Sequence, residues 1–289
     1  MGKKRFFDDR LKYLSFIQNT SEKRAISSEL TPFIASMPQN RTFLRILDAG
    51  TGDGTVKSNV IKTFHKYHPY TSLLITGKEI SYEDLKNTLE KMPDRFVEHP
   101  NLLVTMTNVK FAELGHIENA NKIKNKKVKV HNLILKEDNS FDFHTQINNL
   151  NNFIKKNWGI EIDNKSRTSY SNPCLIRIYR EDHKRYLEPF IDNDYENNNY
   201  DLIIASQAYR AASAVKTKVN NVIAPLMRLL NKSGRLLVTH SCGEDTVEKI
   251  LKIAYKDKKP FPNKAKDIID FLKNNPVGEN SRYSFSKPK

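Results

Sequence analysis

The sequence predicts an α/β fold built on a doubly wound, mostly parallel sheet. Short apolar runs of strand length alternate with segments of helical periodicity over roughly 200 residues, which is typical of successive βαβ units. The first clear run ends in a glycine-rich turn that opens a helix. Hydrophobic residues make up 38% of the 289, including 15 Phe and 12 Tyr, so the chain has enough apolar mass for a packed core. Whole-chain disorder is excluded.

The N-terminal residues 1–40 are expected to form a helical cap. Apolar residues recur at helical spacing from Leu11 to Ile34, and the polar residues 19–22 interrupt them. This pattern predicts two short helices that meet at a polar joint, with Thr20 or Ser21 as the cap of the second.

The first βαβ unit follows the cap. Residues 43–49 form an apolar run of strand length, residues 55–66 have helical periodicity, and residues 72–77 form a second apolar run. A crossover of this length is expected to be right-handed, so its two strands lie parallel in one sheet.

The rest of the chain continues this alternation, with a long insertion. Residues 107–199 are too many for a simple connection, so we expect an insertion before strand four of the sheet. The main domain then spans residues 41–257, and residues 258–289 add a helix and a basic tail. The run at 102–108 also resembles the end of strand four. If it is strand four, the number of strands in the middle of the chain changes, and the run at 174–180 becomes more important to the sheet. The predicted strands lie at 101–106, 128–135, 174–180, 200–206 and 234–241, and the predicted helices at 81–92, 143–157, 212–230, 244–256 and 265–274.

The formal charge of +15, from 48 Lys+Arg and 33 Asp+Glu, has two interpretations. A lysine-rich composition covers every solvent-exposed face with charge, or a basic patch binds a nucleic acid or another anionic surface. The densest cluster lies at residues 122–129. We interpret it first as a solvated loop and second as a binding arm.

Several classes of protein are not expected. No run approaches the roughly 18 apolar residues that cross a bilayer, so no membrane association is predicted. The N-terminus lacks the apolar core of a secretory signal, and two cysteines, Cys174 and Cys242, do not make a disulfide scaffold. A cytoplasmic protein is expected. His65 and His68 have too few potential partners nearby to predict a metal site.

The residues that indicate chemistry lie in the glycine turn at 48–55, with sequence DAGTGDGT. A phosphate-binding P-loop pattern is absent, and a dinucleotide turn would not place Asp53 among its glycines, where it repels a pyrophosphate. The acid suits a ligand with a cationic amino group instead. Glu79 ends the next predicted strand, where an acid can accept both hydroxyl groups of a ribose.

These residues resemble the class I S-adenosylmethionine (SAM)-dependent methyltransferases, which have a Rossmann-like fold. In that family the glycine turn lies against the amino-acid part of SAM, the acid ending strand two binds the ribose, and strand four ends at the methyl-transfer centre. The resemblance covers about residues 40–106 and 198–257. It implies SAM as the cofactor and assigns cofactor binding to Asp48, Gly50, Thr51, Gly52, Asp53, Glu79, Ile80 and Ser206.

A finer resemblance is to histamine N-methyltransferase-like enzymes that act on small amines. It implies that Glu22, in the N-terminal cap, and Gln207, after strand four, bind the acceptor together with Tyr209. The chain departs from that pattern in its GTGDG turn, where a GGGAG-like turn is expected, and in the roughly 90 residues between strands three and four. Gln207 and Glu22 are therefore catalytic candidates. His240 is a third, as a base, because it ends a predicted strand and the carboxyl ends of the strands form the site.

Each of these residues also has a structural interpretation. Glu22 can be a helix N-terminal acid, Gln207 a partner of backbone groups, Tyr209 a packing residue and His240 a buried hydrogen-bonded histidine.

The expected function is methyl transfer from SAM to a small molecule, with an amine as one candidate, by in-line displacement. The alternatives are a methyltransferase that acts on a nucleic acid or protein through a basic surface, and a SAM-binding module without catalysis.

Overall fold

Seven strands form one central sheet, surrounded by helices on both faces. The computed structural model describes residues 21–117, 121–162, 168–191, 199–241, 261–277 and 283–288. Its strands are β1 (Phe43–Ala49), β2 (Ser72–Lys78), β3 (Leu102–Thr107), β4 (Lys122–Ile123), β5 (Lys126–Lys127), β6 (Lys129–Leu135), β7 (Ile160–Ile162), β8 (Thr168–Tyr170), β9 (Cys174–Arg180), β10 (Tyr200–Ser206) and β11 (Leu230–Thr239).

Ten α-helices within the described residues connect and cover these strands. A 3₁₀ helix at Phe111–His116 follows β3, and a π-helical turn at Val219–Ile223 joins two of the α-helices. The helices are α1 (Glu22–Ala35), α2 (Thr55–Tyr67), α3 (Tyr82–Glu90), α4 (Pro93–Glu98), α5 (Ser140–Asn148), α6 (Asn151–Asn157), α7 (Lys184–Ile191), α8 (Val215–Lys218), α9 (Ala224–Met227) and α10 (Ala265–Asn274).

The strand order of the central sheet is β11-β10-β1-β2-β3-β9-β6. The first five of these strands are mutually parallel. Strand β9 runs antiparallel to β3, and β6 runs parallel to β9. This is a Rossmann-like, doubly wound, mostly parallel sheet, so the predicted fold class is confirmed. The chain order reverses at β1, which has β2 on one side and β10 on the other.

The strand order also settles which run is strand four. The run at Leu102–Thr107 is β3, the neighbour of β2, and the run at Tyr200–Ser206 is the one that returns to pair with β1. The residues between them add β9 and β6 to the outer edge of the sheet, where all seven residues of β9 are buried. They also form two small ribbons, β4 with β5 and β7 with β8.

Three predicted helices differ from the structure. The segment at 81–92 ends at Glu90, and Pro93 then opens α4, because proline lacks the amide hydrogen that a continuing helix needs. The segment at 143–157 is two helices, divided within an asparagine-rich stretch of weak helix formers. The segment at 212–230 forms helix only from Val215 to Met227 and includes the π-helical turn.

The two ends of the chain are described in part. Ser21 precedes α1, but its side chain makes no capping hydrogen bond. The predicted helix N-terminal to it and the predicted helix at 244–256 lie outside the described residues.

The core lies on both faces of the sheet because neighbouring strand residues point in opposite directions. Leu44 and Ile46 of β1 belong to the cluster that also contains Phe64 of α2 and Phe96 of α4. Leu47 belongs to a second cluster, on the other face, with residues of β10 and α9. Burial on both faces explains why the parallel strands are continuous apolar runs. Among the described helices, none has the length and apolarity needed to cross a membrane.

Candidate functional site

The glycine turn follows β1, and its three glycines have backbone φ angles of +99°, +58° and +77° at Gly50, Gly52 and Gly54. A Cβ atom at Gly54 would lie 2.7 Å from the Cα of Thr88, so packing against α3 requires glycine there. A Cβ atom at Gly52 would meet no described atom within 4 Å. The turn therefore presents open space at Gly52, where a ligand can approach the backbone.

Glu79 directly follows β2 and ties this strand to the glycine turn. One carboxylate oxygen accepts a hydrogen bond from the Gly52 amide at 2.8 Å, and the other accepts from the amides of Ile80 and Ser81, each at 2.8 Å. The side chain is only 8% exposed. A carboxylate has about four acceptor positions, so these three bonds leave room for a hydroxyl group at the oxygen that faces Gly52. Ile80 contributes its backbone amide.

Asp53 already has a cation beside it. Its carboxylate accepts hydrogen bonds from the ammonium group of Lys23 and from the amide and hydroxyl of Thr55, both at 3.0 Å. Burial alone would raise the pKa of Asp53, but the bonds from Lys23 and Thr55 and the charges of Lys23 and Lys91 lower it. Lys23 of α1 thus stands where the sequence analysis expects the amino group of a ligand.

Asp48, the last acid before the turn, is buried together with Lys57 of α2. Burial raises the pKa of Asp48, while the charge of Lys57 acts in the opposite direction. Burial also lowers the pKa of Lys57, whose ammonium group lies 3.3 Å from the sulfur of Met106. One oxygen of Asp48 has no hydrogen-bond partner among the described residues. The hydroxyl of Thr51 donates to the backbone carbonyl of Asp48 at 3.3 Å, so its role here is to close the turn.

Gln207 and Glu22 meet at the end of β10. The Gln207 amide donates a hydrogen bond to the Glu22 carboxylate, and the Gln207 backbone amide donates to the hydroxyl of Thr239 at 3.2 Å. Gln207 has a φ angle of +50°, which is uncommon for a residue other than glycine. Ser206 directly precedes this strained position and is half-buried. The structure brings together the two residues that the sequence analysis expects at the acceptor.

Tyr209 and His240 form a second group near the ends of β10 and β11, with ring centroids 5.8 Å apart. Nε2 of His240 lies 2.8 Å from the backbone carbonyl of Asn263, so Nε2 carries the hydrogen and Nδ1 has the lone pair. Burial lowers the pKa of His240 and raises the pKa of Tyr209 to about 12. Nδ1 of His240 and the hydroxyl of Tyr209 are buried without a partner among the described residues. Lys218 lies 5.4 Å from the centre of the Tyr209 ring.

Comparisons with known proteins give no match by sequence and a distant one by structure. No family model matches the sequence, and no curated protein matches it. The chain is similar in structure to MnmC2 from Aquifex aeolicus. The identity is 12% and the TM-score 0.28, over 84% of this chain and 61% of the other. The chain thus spans about three fifths of the length of that protein.

Sequence reasoning missed the lysines of the site. Lys23, Lys57 and Lys218 contact Asp53, Met106 and the Tyr209 ring, respectively, although each was an ordinary lysine in a lysine-rich sequence. The one available signal was the position of Lys57 in the first turn of α2, on the face that is buried. The other contacts depend on which segments meet in space.

Two other features do not belong to this site. A surface groove of about 590 Å³ lies at the amino ends of the strands, on the opposite edge of the sheet. It is lined by Thr42, Phe43, Tyr70, Ser72, Asn101, Tyr186, Pro189 and Phe190. The Nδ1 atoms of His65 and His99 lie 3.2 Å apart. Within the described residues, no group of three His, Cys, Asp or Glu side chains is placed to bind a metal ion.

Proposed function

We propose that the protein is a SAM-dependent methyltransferase. The observation that carries this proposal is the open space at Gly52 beside the carboxylate of Glu79. It lies at the carboxyl ends of the parallel strands, next to the point where the chain order reverses, where open α/β sheets bind their ligands.

The residues of the turn fit the cofactor by their chemistry. Glu79 has one oxygen with capacity for a ribose hydroxyl, and Gly52 leaves its backbone accessible to the amino-acid part. A cationic ligand would take the place of Lys23 beside Asp53, whose carboxylate accepts a hydrogen bond from that ammonium group. When bound, SAM would supply a methyl group on a positively charged sulfur.

The chain itself would align the acceptor and exclude water. Glu22 and Gln207 lie together at the end of β10, where a carboxylate and an amide can orient an amine. His240 is held with Nδ1 as the free base, and its lowered pKa keeps it neutral at pH 7, so it can accept a proton from an acceptor at that atom. We propose that the group methylated at this site is an amine.

Calorimetry with SAM tests the cofactor assignment. We expect binding to the wild-type chain, weakened about 10- to 100-fold in Glu79→Gln, because a hydrogen bond to a charged group contributes about 1.5–3 kcal/mol. Glu83→Gln is the matched control, since this exposed acid on α3 contacts only the Ser81 hydroxyl among the described residues. Absence of binding to the wild type would overturn the proposal. Equal binding by Glu79→Gln would overturn the role of Glu79.

A further inference from the structure

The densest group of lysines in the sequence forms a short antiparallel ribbon. Residues 122–129, here called the lysine ribbon, comprise β4, a two-residue turn, β5, Val128 and the first residue of β6. Lys122 and Lys127 stand directly opposite each other in the antiparallel pair. Two like charges in this position destabilise a ribbon, so folding alone does not explain their placement.

Apolar anchors and the turn fix the direction of these lysines. Ile123 and Val128 are 7% and 5% exposed and pack into the core cluster that contains Leu114 and Leu175. The turn residues Lys124 and Asn125 both have positive φ angles, +49° and +64°. A tight hairpin turn of this kind normally contains glycine, and lysine there is strained. The ribbon therefore holds its charges outward in a fixed arrangement.

Acidic neighbours neutralise only part of the ribbon. Glu113 pairs with Lys124 at 3.1 Å, and Glu161 pairs with Lys126 at 3.0 Å. Lys122, Lys127 and Lys129 form no ion pair with any carboxylate among the described residues. Three positive charges thus remain on one small surface.

The lysine ribbon lies at the same edge of the sheet as the glycine turn. The amide of Glu79 donates to the carbonyl of Thr107 at 2.9 Å, and the hydroxyl of Thr107 donates to the carbonyl of Cys174 at 2.8 Å. The amide of Lys129 donates to the carbonyl of Pro173 at 2.8 Å. These contacts place the start of β6 three strand spacings from Glu79, or about 15 Å. A few nucleotides of a nucleic-acid strand span this distance.

We propose that the lysine ribbon binds the phosphodiester backbone of a nucleic acid, and that the methyl acceptor is a group on that strand. The second part rests on the proposed function. Charge complementarity is the argument, since fixed, unneutralised lysines are what a polyphosphate binds. An anionic membrane would also attract lysines, but its binding is strengthened by apolar side chains beside them, and those of the ribbon point into the core. Exposed apolar side chains do lie beside the ribbon, at Val130, Ile160 and Ile162, so anionic vesicles are the competing ligand in the experiment.

Fluorescence anisotropy with the full chain and a labelled single-stranded RNA of mixed sequence tests this surface. We expect Lys122→Gln/Lys127→Gln to make the slope of log affinity against log salt shallower by about 1.4, because two phosphate contacts are lost. At 0.1 M salt this corresponds to a loss of about 10- to 30-fold in affinity for the RNA. The control is Lys62→Gln/Lys66→Gln, which removes the same charge from exposed residues in the second half of α2, toward the opposite edge of the sheet. The unfolding temperature of the ribbon variant should not fall, because two repelling charges have been removed.

Three outcomes would overturn the proposal: no RNA binding by the wild type, equal losses in the two double variants, or ribbon-dependent binding to phosphatidylserine vesicles without binding to RNA. Calorimetry separates this proposal from the cofactor assignment. The ribbon variant should bind SAM as the wild type does. If the wild type binds RNA through the ribbon but does not bind SAM, the nucleic-acid surface stands and the methyltransferase proposal fails.

Discussion

The amide of Gln207, which follows β10, donates a hydrogen bond to the carboxylate of Glu22 at the start of α1, although the two residues are 185 positions apart. The adjacent residue, Lys23, pairs with Asp53 in the glycine turn. The first turn of α1 therefore contacts the residues that follow both β1 and β10. The predicted cap helix thus reaches the glycine turn as well as Gln207, the residue expected beside Glu22 at the acceptor.

Replacement of Gln207 by alanine should separate acceptor binding from cofactor binding. The Gln207 side chain contacts Glu22 and not the glycine turn, so we expect the SAM affinity of Gln207→Ala to stay within about twofold. Turnover should fall by about tenfold or more, because the acceptor loses an orienting group. Calorimetry and the rate of SAM consumption measure the two effects.

Arg210→Ala is the control for Gln207→Ala, since Arg210 is an exposed residue of the same loop. Equal losses of SAM affinity and turnover in Gln207→Ala would show instead that Gln207 serves the cofactor.

Replacement of Lys23 by glutamine should make the protein more sensitive to acid. The pKa of Asp53 is lowered in the folded state, so its ionised form stabilises the fold above about pH 4, and this contribution is lost as the pH falls through the lowered pKa. Lys23→Gln removes the bond that lowers this pKa. We expect the free energy of unfolding of Lys23→Gln to be about 1 kcal/mol lower than that of the wild type at pH 7. This difference should disappear at acid pH, where Asp53 is protonated in both proteins.

Urea unfolding followed by circular dichroism between pH 3 and pH 8 measures the effect of Lys23→Gln. Lys86→Gln provides the comparison, because its ion pair with Glu90 is exposed and 3.9 Å long. If Lys23→Gln lowers the free energy of unfolding equally at every pH, the ion pair of Lys23 with Asp53 does not have the role assigned to it.

Replacement of Asp48 by asparagine should have the opposite pH dependence. Burial raises the pKa of Asp48 to about 6. Because this pKa is raised, protonated Asp48 stabilises the fold fully below the ordinary pKa of an aspartate. This contribution is lost as the pH rises through about 6. Relative to the wild type, Asp48→Asn should therefore gain stability between pH 4 and pH 7, by on the order of 2–3 kcal/mol.

The same unfolding experiment tests Asp48→Asn. Asp94→Asn changes an exposed acid whose side chain is 68% accessible and should show no such trend. If the difference in unfolding free energy between Asp48→Asn and the wild type is constant from pH 4 to pH 7, Asp48 is not the titrating group.

Two substitutions in the glycine turn should separate ligand binding from folding. Gly52→Asn places a side chain in open space, and asparagine tolerates a positive φ angle, so stability should fall by less than about 1 kcal/mol. SAM affinity should fall more than about tenfold, because the side chain fills the space of the ligand.

Gly54→Ala should destabilise the protein by about 2–4 kcal/mol, because its Cβ would lie 2.7 Å from the Cα of Thr88. Calorimetric unfolding and SAM titration measure both variants. Unchanged SAM affinity in a folded Gly52→Asn variant would show that the open space is not the cofactor site.

The elements that could be predicted are those whose sequence pattern depends on a few neighbouring residues. The parallel strands β1, β2, β3 and β10 are apolar runs of strand length, so their positions were predicted to within one or two residues. The pairing of β9 with β3 was not predicted, because the register that sets Val104 opposite Ile178 depends on packing between distant segments. The division between α5 and α6 was missed because periodicity alone does not show where a weak helix ends.

The sequence by itself determined the alternation of strands and helices, the glycine turn and the acid that ends β2. These follow from side-chain periodicity and from the backbone angles that glycine allows, which act over a few residues. Only the tertiary structure decided that Glu22 meets Gln207, that Lys23 pairs with Asp53, and that the lysine ribbon lies at the same edge of the sheet as Glu79. Such contacts join segments far apart in the chain, so they form only when the packed sheet offsets the entropy of closing the loops between them.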